Sequence, residues 1–115
     1  SNLNIVGHMF TRCYKLNDIS AIAKWDMTSV TDITKLFKQC SSLSDISPLV
    51  DWKISSKDLT EMFCGCTALR DASALTSWDV SNVVTFTGVF GGCTNLTIYP
   101  DWNGTWSDDG TLIVE

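Results

Sequence analysis

The most reactive side chains in this 115-residue chain are five cysteines and a single histidine. The closest cysteines, Cys64 and Cys66, flank one glycine. A structural zinc site asks for two Cys-x2–4-Cys pairs, or for matching Cys and His pairs. No second pair exists here, and His8 is distant in sequence. No metal site is therefore expected, and no cofactor. Four cysteines share one spacing, Phe-x-x-Cys, at Phe10/Cys13, Phe37/Cys40, Phe63/Cys66 and Phe90/Cys93. An odd total excludes complete pairing within one chain. The four read as a ladder of buried free thiols packed as small apolar groups. The alternative, disulfides between neighbouring positions, needs Cα atoms within about 7 Å. Cys64 stands where other copies have Thr11, Lys38 and Gly91, so it is expected to be the more exposed and reactive thiol. No nucleophile, base and orienting group stand together outside this pattern, so no enzyme is expected.

Carboxylates and hydroxyls recur as well. Asp18, Asp45 and Asp71 are each followed two residues on by Ser20, Ser47 and Ser73. Asn17, Ser44 and Arg70 precede the acids and vary. These nine residues form the candidate binding strip. Stacked like charges are unfavourable unless hydrogen-bonded or ion-paired. Each Asp is thus expected to accept backbone N–H groups in a turn, with a divalent cation between copies as the alternative. Trp25, Trp52 and Trp78 recur at steps of 27 and 26 residues. Either each indole closes its coil, or the three rings stand open as rungs on which sugar rings stack.

All of these residues belong to one repeat. Leu16, Leu43, Leu69 and Leu96 follow each ladder cysteine by three positions. Each unit has two parts. Val30, Ile33, Leu36, Phe37 and Cys40 share the spacing of one face of a short helix. Ser29 with Asp32, and Ser55 with Asp58, resemble capping boxes. Gly65, Gly92 and the Ser41-Ser42 pair mark stops. The second unit is one residue shorter, which predicts a distorted helix entry. The other part, Leu43 to Leu49 with Pro48, reads as a brief extended segment with a turn. One unit cannot bury enough apolar surface to order itself, so units must stack. A period of 26–27 residues falls in the range of leucine-rich repeats. The expected fold is an α/β, leucine-rich-repeat-like solenoid with one short extended segment and one short helix per repeat. The solenoid would span residues 1–98, about three and a half units, with a C-terminal cap at 99–115.

The stretch Trp78-Asp-Val-Ser-Asn-Val-Val-Thr-Phe-Thr-Gly-Val-Phe-Gly-Gly-Cys-Thr-Asn-Leu96 resembles the BspA-like leucine-rich-repeat surface proteins. More closely it resembles the repeat of about 25 residues in Mycoplasma and Firmicutes surface proteins, the DUF285 group. The resemblance runs from residue 1 to about 98. Departures are Lys53 in place of the Asp after Trp, the short 53–59 segment, and Ile98 and Pro100 in place of Asp-x-Ser. The resemblance implies a bacterial, surface-exposed or secreted protein used in adhesion and protein contacts, with no catalytic residues to carry over. The expected function is therefore a non-enzymatic protein-interaction or adhesion module. The alternative is a carbohydrate-binding module using exposed aromatic rungs. The expected partner is a host or surface protein, or else a glycan.

Charge and the chain ends complete the reading. Charged residues are 18% and the net charge is −5, which argues against a nucleic-acid partner. No apolar run approaches the roughly 18 residues of a membrane span, and no signal peptide is recognisable. Asp101, Asp108, Asp109 and Glu115 carry most of the net charge, without a base among them. Asn103-Gly104 and Asp109-Gly110 are hairpin-type turns, and Leu112-Ile-Val is strand-like. A calcium loop at Asp101, Asn103 and Asp108 is disfavoured because its glycine is misplaced and a bidentate Glu is absent. Ser1-Asn2-Leu3 aligns with Ser81-Asn82-Val83, so the chain begins mid-unit. A piece of a longer protein is expected, in preference to a partner covering that end.

Overall fold

Residues 5–114 are described by a computed structural model. Four segments, 5–13, 32–40, 58–66 and 85–93, lie against one another in register. In the first, Val6, His8, Phe10 and Arg12 donate their N–H groups to the carbonyls of Asp32, Thr34, Leu36 and Lys38 at 2.7–3.0 Å. The intervening N–H groups of Met9, Thr11 and Cys13 donate three residues back, to Val6, His8 and Phe10. Lys35, Phe37 and Gln39 repeat the outward bonds to Thr60, Met62 and Cys64. Leu59, Glu61, Phe63 and Gly65 repeat them to Thr85, Thr87, Val89 and Gly91. Each segment is thus a ribbon of tight turns whose alternate N–H groups tie it to the next unit.

This overturns the expected α/β solenoid. Among the described residues there is no α-helix. Regular structure is limited to three 3-10 turns, Ser20–Ile22, Ser47–Leu49 and Ser73–Ser77, and one two-stranded antiparallel sheet. The physical reason lies in the hydrogen bonds. An α-helix sends every interior N–H to the carbonyl four residues back, whereas here half of them leave the unit. The backbone makes this possible with a left-handed residue at every fourth position. His8 and Arg12, Lys35 and Gln39, Glu61 and Gly65, then Gly88 and Gly92 all have positive φ, from 52° to 81°. Gly65 and Gly92 are therefore not helix stops but members of a column of left-handed positions. A positive φ costs a non-glycine residue about 1–2 kcal/mol, which the bonds to the next unit offset.

The expected extended segments are also absent. Parallel pairing between units is confined to isolated bridges, Ile5 with Asp32, Asp58 with Thr85 and Asp71 with Ile98. The 3-10 turns occupy that side instead. The missing residue of the second unit is absorbed at Ser56, a buried polar residue whose hydroxyl pairs with both the N–H and the carbonyl of Asp58. Its counterparts Val30 and Val83 have no such group.

The core is a set of columns running through the stacked units. Phe10, Phe37, Phe63 and Phe90 stack with ring centroids 5.5–5.6 Å apart. Trp25, Trp52, Trp78 and Trp102 stack at 6.3–6.5 Å. Indole N–H groups of Trp52, Trp78 and Trp102 donate to the carbonyls of Ile22, Leu49 and Leu75, one unit back. Thiols of Cys40, Cys66 and Cys93 donate to the carbonyls of Phe10, Phe37 and Phe63. Leu43 and Leu69 are fully buried. Strands β1 (Gly104–Trp106) and β2 (Leu112–Val114) form a hairpin with Thr105 opposite Ile113. The turn at Asp109-Gly110 joins them, while Gly104 lies inside β1 rather than in a turn. The hairpin covers the last unit. The Phe90 N–H donates to Gly110, the Gly88 N–H donates to the Thr111 hydroxyl, and Trp106 packs edge-on against Phe90.

Candidate functional site

All nine residues of the predicted strip are exposed: Asn17, Asp18 and Ser20, then Ser44, Asp45 and Ser47, then Arg70, Asp71 and Ser73. The acids are held by short local bonds. Asp18, Asp45 and Asp71 each accept the N–H of the serine two residues on, at 2.9, 2.9 and 2.8 Å. Such Asx turns fix the carboxylate at the entry to each 3-10 turn. Hydrogen bonds from the serine two residues on favour the charged form and lower all three pKa values, led by the Ser20 N–H at Asp18 and by the Ser47 and Ser73 hydroxyls at Asp45 and Asp71, with the other group of each serine adding to it. The charge of Asp18 opposes this slightly at Asp45. Ser44, Asp45, Ser47, Asp71 and Ser73 line a shallow cleft of about 260 Å³. Asn17, Asp18, Ser20 and Arg70 stand outside it. The cleft presents ionised carboxylates and hydroxyls on a rigid backbone, which suits a ligand that brings N–H donors or positive charge. Among the described residues, no three His, Cys, Asp or Glu side chains are grouped to hold a metal ion.

The other predicted residues are placed differently. Trp52 and Trp78 are 3% and 4% exposed, and each ring face is covered by a neighbouring indole. They offer no open face to a sugar ring, which removes the stacking geometry expected for them. Trp25, at the start of the column, is half-buried. All five cysteines are free. Cys64 is half-buried and more accessible than Cys40, Cys66 and Cys93, but Cys13 is half-buried too. Burial, and then the nearby Glu61 carboxylate, raise the Cys64 pKa, so its thiolate is disfavoured. Burial pushes Cys40 and Cys93 up to about 11 and raises Cys66 as well.

A second surface was not read from the sequence. Beside the edges of the Trp column run two adjoining cavities. One of about 400 Å³ is lined by Val50, Asp51, Trp52 and Lys53 among others, and one of about 480 Å³ by Trp78, Phe86, Asp101, Trp102 and Asn103 among others. Asp79 borders both. The positions on either side of each Trp change from unit to unit: Lys24, Asp51, Ser77 and Asp101 before it, and Asp26, Lys53, Asp79 and Asn103 after it. Variable residues beside a constant column were the available signal. Trp102 itself was not counted as a repeat position because it follows Trp78 by 24 residues rather than 26 or 27.

Comparison with curated proteins and with solved structures returned no match. The resemblance to BspA-like leucine-rich-repeat proteins gains no support from a family match, whereas the other half of the resemblance does. The matched stretch, residues 1–102, ends at the fourth Trp of the column. Over that stretch the chain matches the family described as Mycoplasma protein of unknown function, DUF285, and it belongs to that family.

Proposed function

We infer that the chain is a non-enzymatic module that binds another protein, in adhesion at a bacterial cell surface. The observation that carries this reading is the Asp/Ser strip, where the same acid is held in the same turn and ionised on three successive units. Repetition at a fixed spacing gives a partner several equivalent contacts at once, each weak on its own. The non-enzymatic part is supported by the thiols, whose raised pKa values keep Cys40, Cys64, Cys66 and Cys93 protonated near neutral pH. Among the described residues, no helix is long and apolar enough to cross a membrane.

The test uses a panel of purified host extracellular proteins and a glycan array. The intact chain is compared with the triple variant Asp18→Asn/Asp45→Asn/Asp71→Asn. Asparagine keeps the oxygen that closes each turn and removes the charge. Binding to a panel protein that weakens at least about tenfold in the variant, and weakens with salt, is the expected result. Equal binding by both chains, or binding to glycans alone, overturns it.

A further inference from the structure

The cavity of about 480 Å³ between the last unit and the hairpin combines two kinds of wall. Its apolar side is formed by Val80, Val83, Phe86 and Val114. Its polar rim carries Asp79, Asp101 and Asn103. The Asp79 Oδ1 accepts the Ser81 N–H at 3.0 Å, and the Asp101 Oδ1 accepts the Asn103 N–H at 3.5 Å. The Ser81 side chain adds a hydrogen bond to the Asp79 carboxylate, and each carboxylate keeps further lone pairs for an incoming donor. No Lys or Arg lines this cavity, and the hairpin region is acidic without a base. An anionic ligand is therefore excluded by charge. The Trp78 and Trp102 rings present edges here, since their faces stack on each other, and a sugar ring needs a face. A long basic side chain fits both walls, because its methylene stem covers apolar surface while its head stays with the carboxylates. Val114 is exposed at its edge, which gives a flanking residue of such a segment apolar ground.

We propose that this groove takes an Arg or Lys side chain of the protein partner, the head between Asp79 and Asp101 and the stem along Val80, Val83 and Val114. The proposal rests on the protein-binding reading and assigns one anchor within it. Arginine is the better occupant, since its planar fork meets two carboxylates at once.

The probe is the capped tripeptide Ac-Val-Arg-Val-NH2, titrated into the isotope-labelled intact chain and followed by amide NMR shifts. Ac-Val-Gln-Val-NH2 and methyl β-glucoside serve as comparison ligands. The arginine peptide is expected to shift Asp79, Ser81, Trp102 and Asn103, with a Kd that rises with salt. Asp79→Asn and Asp101→Asn, which keep the turn-closing oxygen, are each expected to weaken it about tenfold. Equal shifts with the glutamine peptide, larger shifts with the glucoside, shifts confined to other surfaces, or unchanged affinity in both variants would each overturn the proposal. Those failures leave the protein-binding reading standing if the strip variants still lose their panel partner. Loss of both removes the reading itself.

Discussion

Asp18, Asp45 and Asp71 pair with the N–H of the serine two residues on, and Asp79 does the same with Ser81. Together with hydrogen bonds from the serine hydroxyls, which lead at Asp45, Asp71 and Asp79, these bonds favour the ionised carboxylates, so the folded-state pKa values lie below the unfolded ones. The stability they contribute is present above the unfolded value of about 3.9 and is lost as pH falls through the lower folded values. Urea midpoints are expected to stay level between about pH 7 and 5 and to fall below about pH 4. A midpoint that rises on acidification contradicts the account. A second residue-scale prediction concerns the indoles. Trp52→Phe keeps the stack but removes the indole N–H from the Ile22 carbonyl, which retains the Trp25 N–H, and leaves part of a buried ring's volume empty, at a cost of about 2 kcal/mol. Trp25 is half-buried, and its indole has no acceptor among the described residues. Trp25→Phe is therefore expected to cost less than about 1 kcal/mol. Urea unfolding of both variants checks the order, and equal losses would count against it.

The turn ribbon was the part of the fold hardest to read. Val30, Ile33, Leu36, Phe37 and Cys40 are apolar at helical spacing, and a helix was the natural reading. A ribbon with one left-handed residue every four positions places apolar side chains inward at nearly the same intervals. Over eleven residues a period of 4 and one of 3.6 cannot be separated. The distinguishing residues were Gly65, Gly88 and Gly92, which share columns with Lys35, Gln39 and Glu61 and so disclose a backbone that glycine suits. The core columns were legible, because Phe, Cys, Leu and Trp recur whatever the local backbone does. The Asp/Ser strip was legible for the same reason, since an Asx turn depends on neighbours two residues apart. The groove was not, because it forms between units and the hairpin. Two substitutions separate ribbon from helix. Gln39→Gly removes strain at φ 61° and is expected to be neutral to stabilising by about 1 kcal/mol, although it gives up an exposed bond from Arg12. Gly65→Ala, at φ 81° with the added carbon 3.0 Å from the Gln39 side chain, is expected to destabilise by about 1–2 kcal/mol. A helix predicts the opposite sign at both sites, and urea midpoints decide.

At the scale of the whole molecule, the described chain measures 37 × 33 × 20 Å, and its units share every internal face. The columns of Phe, Trp and Cys pass from unit to unit, so each rung depends on its neighbours for burial and for hydrogen bonds. That sharing predicts the behaviour of the thiols. Without reductant, a thiol reagent is expected to find five groups after unfolding. In the native protein Cys13 and Cys64 react slowly, and Cys40, Cys66 and Cys93 are protected. Fewer than five on unfolding would mean that a disulfide exists. The ladder of alternate N–H groups is the central claim, since it sets the spacing of the units and with it the spacing of the exposed acids. Scalar couplings across hydrogen bonds, read by long-range NMR between amide nitrogens and carbonyl carbons, test it most directly. The account predicts correlations from Phe37 to Met62, from Lys35 to Thr60 and from Glu61 to Thr87. Correlations from Phe37 to Ile33, four residues back as in an α-helix, would contradict it.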